Sequence, residues 1–151
     1  MSQYLNQPEV KNALHVKSDI VWKKCSSIVR YNRADGAVSM VPIYNYLLKG
    51  GFGLKILVYS GDDDGVCGTV GTQKWIWNLE TEMTNPETDE WQPYLFHNQL
   101  VGYFTVWKES KMGFVTIRGA GHEVPTYKPK VSLDLWGRYL LGEWTGERDI
   151  E

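Results

Sequence analysis

Leu54-Lys55-Ile56-Leu57-Val58-Tyr59-Ser60 is a nearly continuous apolar run, and it stops abruptly in Gly61-Asp62-Asp63-Asp64-Gly65. A strand with one wet face alternates apolar and polar residues. This run is apolar on both parities, the pattern of a central parallel strand covered on both faces. Such a strand obliges the rest of the chain to supply helices for its faces and further strands for its edges. Three carboxylates crowd its end, and open parallel sheets gather their sites just outside the carboxyl ends of their strands.

A second strand signal lies downstream. Phe114-Val115-Thr116-Ile117 is rich in β-branched and aromatic residues and is bounded by Gly113 and Gly119, which reads as a strand. It runs into Gly119-Ala120-Gly121-His122-Glu123-Val124-Pro125. The two glycines let the backbone turn sharply and Pro125 stiffens the exit, so His122 can reach across the end of a sheet. On these residues alone a solvated loop histidine and a chemically placed one both stay open. The order tips the balance: strand, acidic turn, helix, then a strand ending in a histidine loop reproduces the last part of the α/β-hydrolase sequence of nucleophile, acid and histidine.

Between and around these strands the pattern alternates. Asn6 is placed to cap a helix opening with Pro8 and Glu9 and running to about His15. Val41 to Leu48 reads as a short helix stopped by Gly50-Gly51, and Thr69 to Leu79 as another. Thr81 to Pro93, polar and with two prolines, reads as a surface loop. A strand at about Val101–Trp107 precedes the one at 114–117, and a closing helix runs from about Lys130 to Leu141, ended by Gly142. The chain shows no repeats or low-complexity tracts and reads as one structural unit over 1–151, an α/β arrangement with a mostly parallel sheet flanked by helices.

Composition excludes several function classes. The net charge is −2, and the sixteen basic residues are scattered rather than gathered in a stripe, so no nucleic-acid footprint is expected. No apolar run approaches the length of a membrane span. No Asn-x-Ser/Thr sequon occurs, so glycosylation is not expected. Asp62-x-Asp64-Gly65 invites comparison with a calcium loop, but Val66 stands where a third oxygen ligand is needed and the glycine is misplaced. No metal and no cofactor is expected. The seven tryptophans and nine tyrosines read as core anchors.

Ser-Gly-Asp-x-Asp at 60–64 and Gly-Ala-Gly-His-Glu-Val-Pro at 119–125 resemble the acid and histidine motifs of the serine carboxypeptidases. Tyr4 to His15 adds to the match, as do Trp22 and Cys25 followed by Asp35, Ser39, Pro42 and Tyr44. The resemblance covers nearly the whole chain in order, but no Gly-x-Ser-x-Gly occurs anywhere, so the elbow that carries the attacking serine is missing. Ser60 sits in the acid's context and is no substitute. The chain is therefore similar to the C-terminal portion of an α/β-hydrolase fold. Its 151 residues, 42% of them hydrophobic, could bury a core, yet family members need a longer chain to complete the sheet.

By that resemblance His122 is the general base and acid, Asp64 orients it, Asp62 is structural at the strand end and Asp63 is solvated. Cys67 matches an unpaired cysteine lining the acyl-side pocket. Glu123, directly after the histidine, matches a position in the pocket for the departing C-terminal residue, where glutamate favours lysine or arginine. The bland alternative is that Glu123 only braces its loop. Cys25 matches a position that is disulfide-bonded to the absent upstream region, which implies an oxidising compartment, vacuolar, lysosomal or secreted. No secretory signal is legible at the N-terminus. Spacing alone does not exclude a Cys25–Cys67 bridge, though the resemblance argues against it. His15 and His97 read as packing, structural or solvated residues. The expected partners are a nucleophile-bearing N-terminal portion or chain of the same precursor and peptide substrates, with a homodimer as a further expectation. Without that portion the chain is expected to be inactive. Acyltransferases and lyases on the same scaffold, or a non-catalytic pseudoenzyme, are the competing readings.

Overall fold

A computed structural model describes residues 1–79, 91–107 and 112–143. The sequence reads as one unit, whereas the chain divides into two compact ones, 1–38 and 39–151.

The first unit is held by polar clips. Helices α1 (Ser2–Leu5) and α2 (Pro8–Ala13) and a 3-10 turn at Asp35–Ala37 are its only helical elements. The Asn6 side chain does not cap α2. It bonds Trp22 in both directions, donating to its carbonyl at 3.0 Å and accepting from its amide at 2.8 Å. Lys11, buried on α2, donates to the carbonyls of Ser18 and Ile20 at 3.2 and 2.6 Å. No apolar side chain of this unit is buried among the described residues. The helix expected to reach His15 stops at Ala13, and His15 itself turns the chain with φ 54°.

The second unit carries the sheet. Its elements are α3 (Val41–Lys49), β1 (Ile56–Gly61), α4 (Thr69–Trp77), β2 (Gln92–Phe96), β3 (Gln99–Trp107), β4 (Met112–Ile117), α5 (Val124–Tyr127) and α6 (Pro129–Leu141). The strand order is β1-β4-β3-β2. Only β1 and β4 are parallel; β4–β3 and β3–β2 are antiparallel. The sheet is thus mixed rather than mostly parallel among the described strands. The β2–β3 pairing has a local cause: the two strands are joined by His97-Asn98, with φ 48° and 57°, the left-handed pair that a two-residue type I′ hairpin requires. Pro93 lies in β2 rather than in a loop, tolerated because β2 is an edge strand whose ladder can lack a donor. Residues 81–90 of the expected loop lie outside the described residues.

β4 is the centre of the core. Its alternate residues serve opposite faces, Val115 and Ile117 packing with Tyr94, Phe104, Val124, Val131 and Leu135, and Met112 and Phe114 with Ile76, Leu79 and Trp107. Period-two alternation with both faces covered is what a sheet between helical layers demands. Helix α6 lies on one face and α3 and α4 on the other. The run at 54–60 forms β1 but at the edge, Ile56, Leu57 and Val58 half-buried, Tyr59 exposed, and its second side unpaired among the described residues.

α6 also buries charge. Asp134 and Arg138, one turn apart, are joined at 2.6 Å, and the Tyr94 hydroxyl donates to the same Asp134 oxygen at 2.7 Å and to the Val131 carbonyl at 3.1 Å. The Arg138 guanidinium lies 5.4 Å over the Tyr94 ring. Burial, then the hydrogen bond and charge of Asp134, pushes the Tyr94 phenol far above its ordinary value. The helix ends at Gly142, whose φ of 74° and amide bond to the Arg138 carbonyl make a left-handed cap.

Candidate acid–base site at the ends of β1 and β4

Parallel pairing in register, Ile56 with Met112 through Gly61 with Ile117, brings the carboxyl ends of the two strands level. Beyond them the loops are laced together. The Asp62 amide donates to the Ile117 carbonyl at 3.1 Å and the Asp63 amide to the Ala120 carbonyl at 3.0 Å. The Asp62 carboxylate accepts from the Gly119 amide at 2.6 Å, so this aspartate is structural at the strand end, as expected. Gly119 has φ 66°, a conformation that favours glycine. Gly61 is required for a different reason: a Cβ there would collide with the Ala120 carbonyl oxygen.

Asp64 follows a tight turn in which its amide bonds the Gly61 carbonyl at 3.1 Å. Its Oδ1 accepts from the amides of Val66 at 2.7 Å and Cys67 at 3.0 Å. Its Oδ2 stands 3.0 Å from His122 Nδ1. The Cys67 amide first, then the His122 hydrogen bond, hold the Asp64 carboxyl below its ordinary value, against the opposing effect of burial. An ionised carboxylate only accepts, so Nδ1 carries the proton donated to Asp64 and Nε2 is left as the basic nitrogen. The Asp64 side chain is 6% exposed and that of His122 56% exposed. The acid is thus held in the protein while the imidazole faces outward.

The neighbouring residues divide clearly. The Ser60 hydroxyl is buried and 2.8 Å from the Thr69 hydroxyl, which in turn donates to the Gly61 carbonyl at 2.9 Å; Ser60 is a strut. Cys67 and Glu123 are both exposed, Cys67 on the Asp64 turn and Glu123 at the N-cap of α5, where its carbonyl accepts from the Thr126 amide at 2.8 Å. The described cysteines, Cys25 and Cys67, are both free. His97 is a hairpin residue of β2–β3, remote in role from this site.

A family model of the serine carboxypeptidases (Peptidase_S10) matches residues 1–142. The chain belongs to the serine carboxypeptidase family. Among curated relatives it is 37% identical over 145 residues to serine carboxypeptidase-like 21 of Arabidopsis thaliana, covering 94% of this chain and 28% of that protein. Serine carboxypeptidase 24 of the same plant is 34% identical over 144 residues, covering 93% of this chain and 29% of that protein. The chain thus spans less than a third of the length of these relatives. The crystal structure of a prohormone-processing carboxypeptidase from Saccharomyces cerevisiae superposes with a TM-score of 0.67 at 23% identity, over 93% of this chain and 31% of that one. That likeness places the described elements within the serine carboxypeptidase version of the α/β-hydrolase fold.

Sequence reasoning named Asp64 and His122 and missed the residues that set them. The close approach at Gly61 leaves no local signal, since a glycine after a strand reads simply as a turn. The Ser60–Thr69–Gly61 strut joins residues of ordinary type across a loop and a helix start. The Tyr94–Asp134–Arg138 cluster showed only an i,i+4 acid–base spacing, which is usual on exposed helix faces.

Proposed function

We propose that this chain supplies the aspartate and histidine of a Ser-Asp-His carboxypeptidase, the serine being carried by an N-terminal portion or chain of the same precursor. The observation that carries the reading is the 3.0 Å contact between Asp64 and His122 across the ends of two parallel strands. His122 Nε2 takes the proton of the incoming serine as it attacks the peptide carbonyl, and returns it to the departing amine. Asp64, fixed by two backbone amides, keeps Nδ1 protonated and stabilises the imidazolium. The side of β1 that is unpaired among the described residues is where the nucleophile-bearing portion adds its strand. An open edge with apolar faces is otherwise an aggregation hazard.

The finer features follow the same reading. Exposed Glu123, next to the base, faces the leaving residue and favours lysine or arginine. Cys67 lines the acyl-side pocket, and Cys25 bonds a cysteine of the absent portion in a vacuolar, lysosomal or secreted compartment. Intact mass and terminal sequencing of native material, followed by turnover of peptides with free C-termini, test the proposal. A bound segment bearing Gly-x-Ser-x-Gly and release of single C-terminal residues are expected. Hydrolysis by this chain by itself, or a native assembly with no such segment, would overturn it.

A further inference from the structure

Asp64, Cys67 and His122 each offer one donor atom, and the three atoms lie within 4.8 Å of one another. The proposed chemistry uses the carboxylate and the imidazole against each other and gives the thiol no bond to make. Thiolate, imidazole and carboxylate ligands hold a zinc ion at about 2.0–2.3 Å, so that donors around it stand roughly 3.3–3.8 Å apart. The carboxylate and imidazole are already 3.0 Å apart, and Cys67 and His122 are exposed and have room to rotate. The turn is braced as well. The second Asp64 oxygen is held by the amides of Val66 and Cys67, so two of the three donors rise from one fixed turn and the carboxylate is oriented by hydrogen bonds, as outer-shell partners orient metal ligands.

We infer that Asp64, Cys67 and His122 form an inhibitory binding site for a zinc-like divalent cation. A mixed sulfur, nitrogen and oxygen set favours such an ion over magnesium or calcium, which take oxygen ligands. On binding, the Cys67 thiol releases its proton to solvent. The imidazole changes tautomer, its proton passing from Nδ1 to Nε2 by way of water, so that the Nδ1 lone pair reaches the ion. Thiolate and carboxylate together balance the ion's charge, a water completes four-coordination, and nothing is oxidised or reduced. The Asp64–His122 hydrogen bond is exchanged for two bonds to the ion, and the nitrogen that was basic now carries a proton. The acid–base pair is therefore off until a chelator removes the ion. Binding stands on the cluster alone; only its inhibitory consequence rests on the proposed function.

The test titrates the folded chain with cadmium, following the ultraviolet cadmium–thiolate absorption, in the parent, Cys25→Ser, Cys67→Ser and His122→Gln. A saturable band in the parent and in Cys25→Ser is expected, absent in Cys67→Ser, at least tenfold weaker in affinity in His122→Gln, competed by zinc and abolished by EDTA. A band that survives Cys67→Ser or disappears with Cys25→Ser overturns the site, and unchanged affinity in His122→Gln reduces it to a lone thiol and overturns it too. In the unsubstituted chain, the His122 Nδ1–H proton resonance should vanish at zinc saturation and return with EDTA. Its persistence overturns the proposal without recourse to any variant.

Discussion

Gly61→Ala substitutes no candidate catalytic residue and should still disable the site. An ideal Cβ at position 61 would lie 2.5 Å from the Ala120 carbonyl carbon and 2.7 Å from the Gly121 carbonyl oxygen, where ordinary contact begins at about 3.5 Å. Relief requires the loop carrying His122 to move by about 1 Å, because what is met is backbone and no side chain can rotate away. The strain should cost about 1–3 kcal/mol, the usual range for overpacking. The same displacement falls on the 3.0 Å contact between His122 and Asp64, and a misplacement of about 1 Å at a reacting group costs on the order of 10²-fold in rate. Denaturant unfolding reads the first effect; the His122 Nδ1–H resonance and, in an assembled enzyme, kcat read the second. A Gly61→Ala protein with parental stability and an intact His122 resonance would refute the reasoning that Gly61 exists to admit the Ala120 carbonyl.

Asp134→Ala should destabilise by about 3–5 kcal/mol, since it strips the buried Arg138 of its carboxylate, whereas Asp134→Leu combined with Arg138→Met should come within about 2 kcal/mol of the parent; urea unfolding of both decides it. Asp64 has a folded pKa below its ordinary 3.8. It therefore contributes stability that is present above pH 3.8 and lost as the pH falls through the lower folded value, so the stability gap between parent and Asp64→Asn should close on acidification below 3.8, and a gap that widens there contradicts the assignment. Glu123→Met should lower the preference for peptides ending in arginine over those ending in leucine by roughly 10- to 100-fold, the worth of a charged hydrogen bond; an unchanged ratio of kcat/KM values sinks the specificity reading.

What was legible in the sequence follows from how local each signal is. β1 announced itself by a nearly continuous apolar run, β4 by a β-branched and aromatic run between glycines, and α6 by the Gly142 that ends it. Asp64 and His122 were legible because an acidic turn and a histidine loop each follow a strand in the order of an acid and its histidine, with the motif resemblance picking Asp64 from the three carboxylates at 62–64. β2 was not, because Gln92-Pro93 masks its start and the hairpin turn is His97-Asn98 rather than the glycine-bearing pair that usually marks one. The sheet is already mixed at β4, which pairs β1 parallel and β3 antiparallel, and the strand signals at 101–107 and 114–117 do not by themselves report direction. The open edge of β1 followed from the resemblance, since a chain matching only the C-terminal portion of a longer sheet leaves that strand without a neighbour; the apolar run by itself reports only that both faces are to be covered. Nor does any local pattern distinguish the buried Asp134–Arg138 pair from a solvated one, since the deciding neighbour, Tyr94, lies forty residues away.

The central claim is that Asp64 holds His122 in the tautomer the reaction needs. The direct measurement is kcat of the proposed assembly, this chain together with the nucleophile-bearing portion proposed for it, with and without Asp64→Asn. An amide at that position can donate toward Nδ1 and so favours the wrong tautomer, and the account predicts a fall on the order of 10⁴-fold with substrate binding largely kept. Turnover within tenfold of the parent would contradict it.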